Sequence, residues 1–97
     1  MTFDELTPAT KEKIKAIAAH HGAFNVRVFG SVARGQADQN SDLDLLVDYD
    51  IDKISPWFPV RLIRDLENFL GVKVDVVTLE GLKARIYEKV LQESLIL

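Results

Sequence analysis

Seven consecutive residues, Leu43-Asp44-Leu45-Leu46-Val47-Asp48-Tyr49, restrict the fold of this chain more than any other stretch. They read as a strand, and the unbroken Leu45-Leu46-Val47 run asks for apolar cover on both faces of its sheet. Asp44 and Asp48 nevertheless sit inside that strand, and Asp42 lies two positions before Asp44. Side chains alternate along a strand, so Asp42 and Asp44 share one face while Leu43 and Leu45 enter the core on the other. An apolar strand with paired carboxylates is what the remaining sequence has to accommodate.

The neighbouring segments supply layers to pack on it. Thr7-Pro8 starts a helix, with the hydroxyl as cap and proline in the first turn, where its missing N–H costs nothing. Ile14, Ile17 and Ala18 recur at helical spacing, and Gly22 ends that helix behind His20 and His21. Asn25 to Phe29 alternates as a strand broken by Gly30, Ser31 onward starts a short helix, and Gly35 stops it. Gln36 to Ser41 is a polar loop. Ser55-Pro56 repeats the cap-and-proline start for a helix through Val60, Ile63, Leu66, Phe69 and Leu70, which Gly71 terminates. Val72 to Val77 forms a third strand, Thr78 caps a last helix carrying Leu82, Ile86, Val90 and Leu91, and Ser94 to Leu97 adds a short fourth strand.

This order predicts an α/β (α+β) fold with a single mixed β-sheet of three to four strands and helices packed on it. The short connection between the first two strands suits an antiparallel pair. The helical crossover before the third suits a parallel one.

Composition narrows the function. The 97 residues make one domain, residues 1–97, and 47% hydrophobic content supports a packed core without staples. No cysteine is present, which removes disulfides, zinc–thiolate sites and thiol nucleophiles and fits a reducing cytoplasm. No apolar run reaches the roughly 20 residues of a membrane span. The net charge of −3, with scattered basic residues, argues against direct nucleic-acid binding. Six aspartates (38, 42, 44, 48, 50 and 52) lie within fifteen positions. Asp48, Asp50 and Asp52 read as solubilising charges rather than ligands, although Asp48 keeps the strand parity of Asp44, whereas Asp42 and Asp44 open the apolar strand as a pair.

Two carboxylates side by side repel, and one tends to protonate unless a cation intervenes. Mg²⁺ suits them, because it takes oxygen ligands from one or two carboxylates together with substrate phosphates. Asp75, between Val74 and Val76, is a costly lone charge in an apolar strand and the expected third ligand. Three carboxylates from two strands can hold two ions about 3.5 to 4 Å apart. Gly30 and Ser31 supply the other half: glycine lets backbone approach an anion, and the amides and Ser31 hydroxyl at a helix start can bind a triphosphate. Arg34, one turn later, is a candidate phosphate donor. The Gly-Lys-Ser/Thr sequence of Walker-type phosphate loops is absent. Each signal has a bland reading, since Gly-Ser is a common turn and Ser-Asp-x-Asp a common solvated loop end. Their joint order and contexts favour nucleotide chemistry.

Phe29-Gly30-Ser31-Val-Ala-Arg34-Gly35, Ser41-Asp42-Leu43-Asp44-Leu45-Leu46-Val47 and Lys73-Val74-Asp75-Val76-Val77 resemble the minimal nucleotidyltransferases of the DNA polymerase β-like superfamily. The resemblance runs from the first helix to the tail. It implies a palm-like core in which Asp42 and Asp44 bind both metals. Asp75 would bind the catalytic metal and assist deprotonation of the nucleophile, and Gly30 and Ser31 would contact the triphosphate of ATP. It also implies a partner, because such stand-alone proteins are typically encoded beside a HEPN ribonuclease toxin. There the nucleotidyltransferase is the antitoxin and transfers AMP to a tyrosine of the toxin. The rival readings are an antitoxin that neutralises by binding alone, and a catalytic subunit acting on a small molecule or RNA held by another chain. Trp57, Phe58 and Tyr49 are expected in ordinary packing, His20 and His21 at a helix end rather than on a metal, and Arg61 and Arg64 on a solvated face.

Overall fold

The strand expected at Leu43–Tyr49 forms at those residues, inside a sheet rather than at its edge. The computed structural model describes the backbone of residues 1–97 and every side chain but that of Ala84. In chain order the elements are α1 (Pro8–His20), β1 (Ala23–Phe29), α2 (Gly30–Ala33), β2 (Leu43–Tyr49), α3 (Val60–Leu70), β3 (Val74–Val77), α4 (Ala84–Glu93) and β4 (Leu95–Ile96). Two single 3₁₀ turns, Phe3–Glu5 and Leu79–Gly81, precede α1 and α4.

The sheet order is β3-β2-β1-β4. β1 runs antiparallel to β2 and to β4, and β2 runs parallel to β3. The mixed sheet expected from connection lengths is the one found. Leu43, Leu45 and Val47 join Val26, Val28, Val74 and Val76 in one core with Ile14 and Ala18 of α1 and Leu62 and Leu66 of α3. Leu46 has the parity of Asp44 and is only 2% exposed, yet it lies outside that cluster. β2 is therefore covered on both faces at its middle, as its apolar run requires. Burying a leucine side chain stabilises a fold by roughly 1.5–3 kcal/mol. Leu45→Ala adds a cavity to that loss, so it is expected to cost about 3 kcal/mol in a urea titration.

Thr7 caps α1 through its side chain, which accepts from the Thr10 amide at 3.2 Å, with Pro8 at the first position. Gly71 ends α3 in the left-handed region at φ 71°, its N–H donating to Glu67 O at 2.8 Å.

Four element starts differ from expectation. α3 starts at Val60, not behind Ser55-Pro56, and the intervening residues form turns. The residue before a proline is driven from helical geometry, and Pro59 places Phe58 in that position. Thr78 introduces the Leu79–Gly81 turn without a side-chain cap, and α4 begins only at Ala84. β1 begins two residues early at Ala23, with Asn25 at φ 49° and a register irregularity between Phe24 and Arg27. β3 begins at Val74 rather than Val72, although Leu43 N still donates to Lys73 O at 2.9 Å.

Candidate active site

The ends of β1, β2 and β3 bring the singled-out residues to one place. Phe29 pairs with Asp44 across the antiparallel ladder, so Gly30 begins α2 immediately beside that aspartate. Asp44 in turn pairs with Asp75 across the parallel ladder. Paired residues of neighbouring strands lie about 4.8 Å apart and face the same side. Asp42, two residues before Asp44, shares its parity, in the stretch that leads into β2.

The contact between Gly30 and Asp44 is tight. Gly30 has φ 73°, and a Cβ built there would collide with Asp44 Oδ2. The backbone at this position favours glycine, and a larger residue would also have to turn the Asp44 carboxylate aside. The same approach sets the start of α2, where Ser31 follows and the Arg34 amide donates back to Gly30 O at 3.1 Å.

Electrostatics mark Asp44 out. Burial pushes its carboxyl above the ordinary carboxylate value, the neighbouring charges of Asp75 and Asp42 push it further, and Arg34 opposes the rise. Asp42 and Asp75 are exposed, whereas Asp44 is partly covered. The charges of Asp75 and Asp42 thus reach the Asp44 carboxyl. Among the described residues no three His, Cys, Asp or Glu side chains stand close enough as placed to enclose an ion. The donor set, oxygen only and mutually repelling, fits Mg²⁺ rather than a soft or imidazole-seeking metal.

Arg34 stands one turn beyond Gly30, but its side chain is already engaged. Its Nη1 donates to Glu93 Oε1 at 2.7 Å and its Nε to Gln36 Oε1 at 3.1 Å. The loop before Asp42 is built by its own polar groups: Asp38 Oδ1 accepts from the Asn40 amide at 2.8 Å, and the Asp38 amide donates to Ser41 Oγ at 3.0 Å. The Met1 nitrogen donates to Ser41 O at 2.8 Å.

Four supporting residues carry no sequence signal of their role. Glu67 Oε2 accepts from the Val74 amide at 3.1 Å, one residue before Asp75. Glu93 holds Arg34, and Asp65 Oδ2 meets His21 Nε2 at 2.6 Å, joining α3 to the end of α1. Asn25 Nδ2 donates to Asp48 Oδ2 at 2.9 Å, so Asp48 is a structural acceptor. Tyr49 and Phe58 pack together with ring centroids 5.5 Å apart, as expected, but Trp57 is 62% exposed and does not.

Comparisons with known proteins bear on the family and the fold. The sequence pattern of the family described as "Nucleotidyltransferase domain" matches residues 10–97. The protein adenylyltransferase MntA of Thermococcus cleftensis is 34% identical over 94 residues, covering 96% of this chain and 93% of that protein. A solved structure described, provisionally, as a minimal nucleotidyltransferase superposes with TM-score 0.85 at 45% identity, covering 100% of this chain and 97% of that one. A chain from a toxin–antitoxin complex solved with AMP-PNP superposes with TM-score 0.74, over 89% of this chain and 70% of that one. At 23% identity that last likeness concerns the fold alone. The family pattern thus covers everything from within the first helix to the tail, with the aspartates and the Gly-Ser turn inside it, and this chain belongs to the nucleotidyltransferase domain family.

Proposed function

We propose that the protein transfers AMP from ATP to a hydroxyl of a partner protein, a tyrosine of a HEPN-type toxin, and acts as the antitoxin of that pair. The observation that carries the reading is the Phe29–Asp44–Asp75 register. It sets the Gly30-Ser31 turn and two of the three carboxylates in a row across three strands. Support for the protein acceptor comes from the relative named as a protein adenylyltransferase. Support for the toxin comes from the fold neighbour in a toxin–antitoxin complex.

In this reading Gly30 and Ser31 take the triphosphate through backbone amides and the Ser31 hydroxyl, and Arg34 offsets phosphate charge. Asp42, Asp44 and Asp75 would hold Mg²⁺, which when bound supplies charge neutralisation at the phosphates and at the attacking oxygen. The acceptor oxygen forms a bond to the α-phosphorus of ATP, and the bond from that phosphorus to the bridging oxygen breaks. Pyrophosphate departs with the bond's electron pair, and Asp75 accepts the hydroxyl proton. Most of the catalysis comes from alignment and charge placement rather than covalent chemistry by the protein.

Incubating the protein with α-labelled ATP, MgCl₂ and the product of the adjacent gene tests the assignment. AMP label is expected on a tyrosine of the partner, and label is expected to vanish in the Asp42→Asn/Asp44→Asn double variant. A partner that stays unlabelled, or label that survives the double variant, would overturn it.

A further inference from the structure

Glu93 is in an unfavourable place for an acid. It is the last residue of α4, where the carbonyl end of the helix dipole repels negative charge. Its carboxylate is nevertheless largely covered, at 20% side-chain exposure, and meets the Arg34 guanidinium at 2.7 Å. The next residues fix its position, because Leu95 and Ile96 form β4 and pair with Val28 and Arg27 of β1. The same β1 leads into Gly30. Arg34 is therefore referenced to one framework from both directions: its backbone hangs from Gly30 O at 3.1 Å, and its side chain is held from α4.

We propose that Glu93 is a positioning residue for the nucleotide: from the end of α4 it fixes the Arg34 guanidinium one turn from Gly30, so Arg34 meets the triphosphate already ordered. The inference rests on the nucleotidyltransferase reading above. An arginine carries five N–H donors, and the bonds to Glu93 and Gln36 use two of them. At least three remain for phosphate oxygens. A free arginine would lose side-chain entropy each time ATP bound, and the ion pair removes that cost beforehand.

Calorimetric titration of ATP in MgCl₂ tests this without any acceptor protein. Glu93→Gln keeps the shape and loses the charge, and it is expected to weaken ATP binding about fivefold. With the partner present, the same loss should fall on KM for ATP, with kcat within about twofold. Arg34→Ala should weaken binding at least as much, and adding Glu93→Gln to it should change nothing further. ATP affinity that is unchanged or tighter in Glu93→Gln would overturn the proposal. So would an additive double variant, because Glu93 would then act by a route other than Arg34. Melting temperatures of all four proteins separate these outcomes from simple loss of the fold. A wild-type chain that binds no ATP would instead overturn the nucleotidyltransferase reading itself.

Discussion

Asp44→Asn is expected to lower AMP transfer by about a thousandfold while raising the melting temperature above that of the wild type. The activity loss follows from removing one of the proposed metal-holding carboxylates, which together account for several kcal/mol of transition-state charge stabilisation. The stability gain follows from the position of Asp44 between acidic neighbours. Burial, Asp75 and Asp42 all disfavour its ionised form in the folded protein. In the unfolded chain the same carboxyl titrates at its ordinary value of 3.8. Between 3.8 and the higher folded value, the folded protein keeps a proton that the unfolded chain has released. The contribution of Asp44 to stability is thus full below 3.8 and is lost as pH rises through the folded value. At neutral pH the ionised side chain is a standing penalty, and asparagine has no such penalty. Thermal melts from about pH 3 to about pH 8 should show the variant's advantage opening as the pH rises. MgCl₂ should then raise the wild-type melting temperature and leave the variant nearly unmoved, since a ligand stabilises only the state that binds it. A wild type more stable than Asp44→Asn at neutral pH without Mg²⁺ would remove the electrostatic account.

The sequence made this site legible because its geometry is local to strands. Parity alone puts Asp42 and Asp44 on one face, and the alternation around Val74 and Val76 sets Asp75 apart from its apolar neighbours. The register that joins Asp44 to Asp75, and Phe29 to Asp44, is tertiary. It follows from how the antiparallel turn and the α3 crossover place three strands, which no single segment encodes. The same divide explains the misplaced helix starts. Ser55-Pro56 and Thr78 have the composition of caps, but Pro59 and Gly81 lie downstream and delay α3 and α4. Competing local signals of similar strength are decided by what packs, and α3 is anchored by Leu62 and Leu66 rather than by its expected cap. Glu67, Glu93 and Asp65 were illegible for a different reason. Their partners, Val74, Arg34 and His21, lie 7, 59 and 44 residues away, and a charged residue on a helix surface looks the same with or without one.

Gly30→Ala is expected to abolish transfer and to lower the melting temperature by about 15 °C, and Gly35→Ala is the control that shows why. Both glycines have φ 73°, so an alanine at either incurs the same left-handed backbone strain, about 1–2 kcal/mol. They differ in what the new methyl meets. At Gly35 a Cβ has nothing within 4 Å, whereas at Gly30 it collides with Asp44 Oδ2. Gly35→Ala should therefore lose roughly 5–10 °C and keep most of its activity. Gly30→Ala must also displace the Asp44 carboxylate or the start of α2, and overpacking of that kind costs about 1–3 kcal/mol more. Either displacement moves the Asp44 carboxylate relative to the Gly-Ser turn, so the catalytic loss should far exceed what the stability loss accounts for. Combining Gly30→Ala with Asp44→Ala, which removes the obstructing carboxylate, should return most of the excess destabilisation and none of the activity. Equal melting temperatures for Gly30→Ala and Gly35→Ala would mean that the carboxylate yields freely. The close approach of β2 to the Gly-Ser turn would then not be what holds the phosphate and metal subsites together.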